Sequence, residues 1–287
     1  MPSQAVIIIP ARFASSRFPG KPLAPLRGDD GTTRPLIEWS WRAAKAAAGP
    51  AGGTVADGSV SIVRIVIATD DERIAETARG FGAEVVMTPE TCRNGTERCA
   101  AALDGLGESP DIVINLQGDA PLTPADLIEA TLTRMVADPD LPVCTPAVPC
   151  SPAMLSGLLQ DQAEGRVGGT TAVFNERHDA LYFSKRVLPY VPQDRIAGHL
   201  VHLHLGLYAY RPAALAAYMA HPPCMLEEIE GLEQLRFLDA GIRVGMAVCP
   251  VPAWDVIELN NPSDTAAIEA ALRQRAAQFR KQGGQPS

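Results

Sequence analysis

Ala5-Val-Ile-Ile-Ile-Pro-Ala-Arg-Phe-Ala-Ser-Ser-Arg-Phe-Pro-Gly-Lys21 opens on a continuous apolar run and closes on a loop carrying three cations. The run Ala5–Ile9 is short and β-branched, as expected of a strand buried on both faces, which is how strands sit inside a parallel sheet. Pro10 is expected to end it. The loop with Arg12, Arg17, Gly20 and Lys21 then falls at the carboxyl end of the first strand, where open α/β sheets bind ligands.

Outward from this stretch the pattern alternates. A helix is predicted over Pro35–Ala48, with Pro at its start and Gly-Pro at its end, and the Gly-rich Gly49–Ser59 reads as a flexible connection. Ile62–Thr69 reads as a strand, Asp70-Asp71 as the cap of a helix reaching Gly80, and Glu84–Met87 as a short strand. A helix over Gly95–Leu106 precedes the central strand Asp111–Leu116, which ends at Gln117-Gly118-Asp119. This alternation predicts an α/β fold: a Rossmann-like, mostly parallel sheet flanked by helices, with right-handed crossovers. From Leu141 the pattern loosens into a smaller mixed α+β region. Strands are expected at Thr170–Phe174, Ala180–Phe183, Leu203–Tyr210 and Val244–Val248. Helices are expected at Pro212–Met219, at Leu226–Ala240 closed by Gly241, and at Pro262–Lys281, before a disordered tail.

Composition limits the function classes. With 46% apolar residues the 287-residue chain supports a sizeable core. A net charge of −8 argues against a basic surface for nucleic acid. Six cysteines without a CxxC pair or zinc-type spacing read as buried thiols of a reducing compartment. No apolar stretch is long enough to span a bilayer, and no leader-like segment opens the sequence, because Pro10 interrupts the early run. A cytoplasmic protein without membrane or nucleic-acid partners is expected.

Arg12, Arg17 and Lys21 with Gly20 let charged donors and backbone amides converge on a polyphosphate. Neither a Walker A loop nor a Gly-x-Gly-x-x-Gly turn is present, and a solvated basic loop is the plain alternative. Asp119, also at a strand's carboxyl end, is placed to hold Mg²⁺ against phosphate oxygens; alternatively it caps the turn before Pro121. Basic loop and carboxylate together point to a nucleotide site. His204 alternates with His202 and could be a satisfied, partly buried histidine. Glu230 and Glu233 could belong to a solvated helix face, and Tyr208 to the core. Trp39 and Trp41 read as helix packing.

The opening block closely resembles the signature of 3-deoxy-manno-octulosonate (KDO) cytidylyltransferases. The resemblance continues through Ala68-Thr-Asp70, Asn94-Gly-Thr-Glu-Arg98, Gln117-Gly-Asp119, Leu181-Tyr-Phe-Ser184, His204-Leu-Gly206 with Tyr208, and Leu232-Glu-Gln-Leu-Arg236. It implies a nucleotide-diphospho-sugar transferase type of fold and three regions: a CTP-binding core over 1–145, a sugar-acid-binding and dimerisation region over 146–250, and a metal-site loop with C-terminal helix over 251–287. It also implies transfer of CMP from CTP to a sugar acid with release of pyrophosphate, for lipopolysaccharide or surface polysaccharide synthesis, by a Mg²⁺-dependent homodimer. By carry-over, Arg12, Lys21 and Asp119 would be catalytic. Ala11, Arg12, Arg17, Lys21, Thr96, Arg98 and Gln117 would bind CTP. Lys185, Arg186, His204, Tyr208, Glu233 and Gln234 would receive the sugar acid.

Three positions depart from the family pattern. Asn260 stands where a second metal aspartate is expected beside Asp119; its neutral oxygen can ligate a cation but not neutralise it, unless Asp255 or Glu258 moves in. Lys185 replaces an arginine after Tyr-Phe-Ser, and Ala120 replaces an acidic residue. These changes keep open a different sugar acid, such as an amino-substituted octulosonate or an acylneuraminate, or a catalytically impaired CTP-binding relative.

Overall fold

The computed structural model describes residues 2–15, 17–49, 54–107, 109–192 and 200–281. The chain forms two compact units, one of residues 1–129 with 252–287 and the other of residues 130–251.

The first unit is built on β1 (Ser3–Ala11), whose last seven residues are all buried. A hairpin of β2 (Pro25–Arg27) and β3 (Thr33–Pro35) leads to α1 (Leu36–Ala48). The short β4 (Thr54–Val55) pairs antiparallel with the start of β5 (Val60–Thr69). Next come α2 (Glu72–Gly80), β6 (Glu84–Met87), α3 (Gly95–Leu106) and β7 (Ile112–Leu116), and α4 (Ala125–Ala137) begins here and runs on past residue 129. β1 lies between β5 and β7, parallel to both, and β6 runs parallel to β5. The predicted parallel arrangement is therefore present, with helices following the strands.

Pro10 does not end the first strand: Pro10 and Ala11 stay in register with Ala68 and Thr69 of β5. Pairing with β7 stops at Ile8, so only one edge of the ladder has to accommodate a residue without an N–H. The connection after α1 is likewise not wholly irregular, since β4 forms there. Helix α2 is capped as expected, the Asp71 side chain accepting from Arg73 N.

The second unit contains β8 (Val143–Pro149), α5 (Pro152–Ala163), β9 (Thr170–Phe174), β10 (Ala180–Ser184), β11 (His202–His204), β12 (Leu207–Tyr210), α6 (Pro212–Ala220), α7 (Met225–Glu230), α8 (Leu235–Asp239) and β13 (Val244–Val248). Its sheet is mixed. β10, β9, β11 and β8 pair antiparallel in that order, β12 is also antiparallel to β8, and β13 runs parallel to β8. The single helix expected over Leu226–Ala240 is two helices, because Gly231 takes a left-handed φ of 60° and closes α7. The strand expected over Leu203–Tyr210 is also two, broken after His204. Tyr210, Tyr218 and Phe237 stack at the centre of this unit, with centroid separations of 5.6 Å and 4.6 Å to Phe237.

After residue 251 the chain rejoins the first unit and ends in α9 (Thr265–Lys281). Ile268, Ala271 and Leu272 pack with Leu259, Trp39, Leu36, Leu26 and Leu122 in one apolar cluster. The disordered tail expected after Lys281 lies outside the described residues. All six cysteines are buried and free. Among the described residues no helix is long and apolar enough to cross a membrane.

Candidate active site

In the first unit the loop after β1 turns back through Gly20, whose φ of 71° favours glycine. Its N–H donates to the Phe13 carbonyl at 2.9 Å, and a Cβ there would come 3.1 Å from the Phe13 ring. The Arg73 guanidinium lies 3.4 Å from the centroid of the same ring. This fold-back presents Lys21, whose Nζ lies 2.5 Å from Asp119 Oδ2. Arg17 donates through Nη2 to Asn260 Oδ1 at 3.2 Å. Arg12 is exposed and reaches the Arg93 carbonyl at 3.5 Å.

The turn bearing Asp119 is clamped from several elements. Ser40 of α1 donates its hydroxyl to the Gly118 carbonyl at 2.9 Å. A Cβ on Gly118 would sit 2.5 Å from the Pro10 carbonyl oxygen, so the two strand ends approach as closely as glycine permits. From the returning segment, Leu259 N–H donates to the Asp119 carbonyl at 2.9 Å, and the Trp254 indole donates to the Leu122 carbonyl at 2.8 Å. Asp264 accepts from the backbone of Asn260 at 3.0 Å and of Asn261 at 2.7 Å. Residues 258–260 are thereby fixed alongside Asp119.

Glu258 belongs to this group. Burial and the negative charge of Asp119 push its carboxyl up to about 7, opposed by Lys21 and by a hydrogen bond with the Asn260 side chain. Lys21–Asp119 and Arg17–Asn260 are thus two polar pairs, brought alongside each other by the Leu259 N–H to Asp119 carbonyl bond. Among the described residues no three His, Cys, Asp or Glu side chains gather as a metal cage. The Asp119 carboxylate and the Asn260 amide oxygen are nevertheless hard donors of the kind that suits Mg²⁺, which normally takes one or two carboxylates and fills its other positions with phosphate and water.

Thr96 and Arg98 stand differently. Both are buried in α3. The Arg98 guanidinium is engaged by Asp70 at 2.7 Å and by Thr88 at 2.6 Å. Asn94 caps α3 by accepting from Glu97 N at 2.9 Å. Gln117 lies against the start of this helix, its Nε2 3.1 Å from where a Cβ on Gly95 would be. Ala11 is buried at the end of β1.

In the second unit His204 Nε2 lies 2.8 Å from Thr145 Oγ1. The single hydroxyl proton of Thr145 goes to the Leu207 carbonyl at 2.7 Å, so Nε2 carries the proton it donates to Oγ1. Burial lowers the His204 imidazole to about 3, which makes it a neutral, satisfied histidine. Tyr208 donates to Gln234 Oε1 at 3.1 Å, while the buried Gln234 Nε2 has no partner among the described residues. Such an orphaned donor is costly without a ligand or water to meet it. Lys185 N–H and the Ser184 hydroxyl both donate to Glu230, at 3.0 Å and 2.7 Å, so Glu230 is not merely a solvated helix position. The Arg186 side chain is exposed and reaches the Gln162 carbonyl at 3.5 Å. Glu233 is half-buried, and its carbonyl accepts from the Tyr218 hydroxyl at 3.3 Å.

The cytidylyltransferase family matches this chain over residues 6–244. The chain belongs to that family. Among curated cytidylyltransferases, a 3-deoxy-manno-octulosonate cytidylyltransferase of Maricaulis maris is 39% identical, over 92% of this chain and 95% of that protein. An 8-amino-3,8-dideoxy-manno-octulosonate cytidylyltransferase of Shewanella is 36% identical, over 93% of this chain and 97% of that protein. Among solved structures, a CMP:2-keto-3-deoxy-manno-octonic acid synthetase complexed with CTP superposes with a TM-score of 0.77 at 32% identity, covering 95% of this chain and all of that one. As a cytidylyltransferase the protein is a nucleotidyltransferase. What the motifs did not single out are the residues that shape the turn around Asp119: Ser40, Trp254 and Asp264. Ser40 and Trp254 act through backbone contacts distant in sequence that nothing local signals; Asp264 acts three and four residues away, in a capping box with Asn261 that the local spacing does carry.

Proposed function

We propose that the protein transfers CMP from CTP to the anomeric hydroxyl of 3-deoxy-manno-octulosonate or a close ulosonic acid and releases pyrophosphate. The observation that carries this reading is the Lys21–Asp119 contact at the carboxyl ends of β1 and β7, with Arg17 bonded to Asn260 beside it. Cations on a strand-end loop next to an oxygen donor set fit a triphosphate and its metal.

In this reading Arg12, Arg17 and Lys21 hold the triphosphate, and Ala11 and Gln117 border the cytidine. Thr96 and Arg98 brace that wall from below, since their polar groups are buried. Lys21 faces the charge that develops as the sugar oxygen bonds the α-phosphorus, the bond to the β-phosphate breaks and the hydroxyl proton is lost. Asp119 and Asn260 would hold Mg²⁺, which when bound neutralises phosphate charge and orients the leaving group. The sugar acid is assigned to Lys185, Arg186, His204, Tyr208, Glu233 and Gln234. Because His204 is neutral, the carboxylate charge falls to Lys185 and Arg186, and Gln234 Nε2 offers a buried donor to the sugar. A cytoplasmic homodimer serving lipopolysaccharide or surface polysaccharide synthesis completes the proposal.

The test is pyrophosphate release with CTP and Mg²⁺ across a panel of ulosonic acids that includes KDO, its 8-amino analogue and an acylneuraminate. Turnover with one octulosonate and CTP, but not with other nucleotides, is expected. No turnover with any acid would sink the reading. Lys21→Met is expected to lower kcat by about 10²–10³-fold, measured in the same assay.

A further inference from the structure

The loop after β1 carries Arg12 and Arg17 as exposed residues. A segment of charged and small side chains has few buried contacts to set its shape, and two phenylalanines supply them. Phe18 packs against the apolar cluster of Leu26, Leu36, Trp39 and Leu272. Phe13, nearer the strand, is half-buried and meets Arg73 of α2.

The Arg73 guanidinium is held by its edge. Asp71 accepts from its Nε at 2.9 Å and from its Nη2 at 2.6 Å. The same carboxylate accepts from Arg73 N and so caps α2. An edge engaged in this way leaves the planar face for stacking, and that face lies 3.4 Å from the Phe13 ring centroid. Asp71 is tied back to the sheet in turn: its N–H donates to Thr69 Oγ1 at 3.3 Å, and Thr69 is the β5 residue that pairs with Ala11 of β1. On the other side Phe13 fixes Gly20. The Phe13 carbonyl accepts from Gly20 N–H, and two ring carbons lie 3.1 Å from where a Cβ on Gly20 would be. Lys21 is the next residue. A chain of contacts therefore runs from the end of β5 through Asp71, Arg73 and Phe13 to the neighbour of Lys21. The Arg73 side chain keeps 61% of its surface exposed, so its removal leaves the core intact and its effect falls on the loop.

We propose that Arg73 is a positioning residue for the triphosphate: held by Asp71 and stacked on Phe13, it keeps the loop folded back so that Lys21 is presented. This rests on the reading that the loop holds the triphosphate of CTP, and adds the contact that pre-forms it. A loop folded back for part of the time binds with an apparent affinity lowered by that fraction. Bound CTP restores the shape, so the loss falls on KM for CTP rather than on kcat.

The wild-type protein, Arg73→Met, Phe13→Leu and the double variant are compared by limited trypsin digestion, CTP binding and turnover with KDO. Methionine keeps an apolar stem and the backbone N–H that Asp71 caps, and removes the charged plane. Digestion followed by mass spectrometry reads cleavage after Arg12 and Arg17 independently of activity. Arg73→Met is expected to quicken that cleavage and to weaken CTP binding by about three- to tenfold, with kcat at saturating CTP held within about twofold. Phe13→Leu is expected to act alike, and the double variant to lose no more than either single variant. Unchanged cleavage in Arg73→Met, or losses of CTP affinity that add in the double variant, overturns the proposal and leaves the triphosphate role of the loop standing. Faster cleavage with unchanged CTP affinity overturns that role, and the proposal with it.

Discussion

At the scale of single residues, two buried ionisable groups decide how the protein responds to change. His204 has a folded value of about 3 against an ordinary 6.5. The unfolded chain takes up a proton as pH falls below 6.5, whereas the folded chain resists until about 3. Stability present above 6.5 is therefore lost progressively as pH falls through that window. His204→Gln, which keeps a polar group facing Thr145, is expected to flatten this loss. Thermal melts of both proteins through the acid range check it, and parallel losses would assign the acid sensitivity to other groups. Arg236 is the second case. It makes a bidentate pair with Glu227 at 2.6 Å and lies over the Tyr218 ring at 4.1 Å, itself nearly fully buried. Arg236→Met leaves Glu227 without its counter-charge and is expected to cost about 3 kcal/mol, read from urea unfolding. In sequence this arginine looked like one member of a matching block; in the structure it holds α7 to α8 on either side of the Gly231 break.

At the scale of elements, the approach of β1 to the turn after β7 sets the position of Asp119. Gly118→Ala would drive a Cβ to 2.5 Å from the Pro10 carbonyl, forcing the two strand ends apart. A loss of about 1–3 kcal/mol is expected, together with weaker CTP binding, measured by melting with and without CTP. The strands and helices around this turn were legible because their hydrophobic periods are strong: β6, α3, β9 and β13 fall at the expected residues. α4 went unread although Leu127, Ile128, Thr131, Leu132 and Met135 are buried at helical spacing. Thr123-Pro124 and Asp126 at its start are an ordinary helix-start signal, so this element was within reach of local pattern. The Leu226–Ala240 run was read as one helix because Gly231 is tolerated within a helical pattern, and only its left-handed φ reveals a stop. Of the candidate site, the Lys21–Asp119 and Arg17–Asn260 pairings join motifs that were legible one by one. The contacts themselves join residues 98 and 243 positions apart, separations that local pattern cannot carry.

At the scale of the whole molecule, every cysteine is enclosed. Burial pushes the thiols of Cys92 and Cys150 up and that of Cys144 up to about 12, so thiolate is scarce and access is poor. A thiol-reactive dye is expected to label the native protein slowly and to count all six only in denaturant. A fast-reacting thiol in the native protein would contradict the buried placement.

The division of the first unit between residues 1–129 and 252–287 has a consequence for biosynthesis. Chain leaves the ribosome from its N-terminus, and domains generally fold as they emerge. The strands of the first unit appear early, yet Leu259, Ile268 and Leu272, which complete its apolar cluster, are translated only after the whole of the second unit. The nascent protein thus carries an unfinished half for more than a hundred codons while its inserted half can already close. Glu258 and Asn260 are added in that same late segment, so the loop that runs alongside Asp119 is made only after the whole of the second unit.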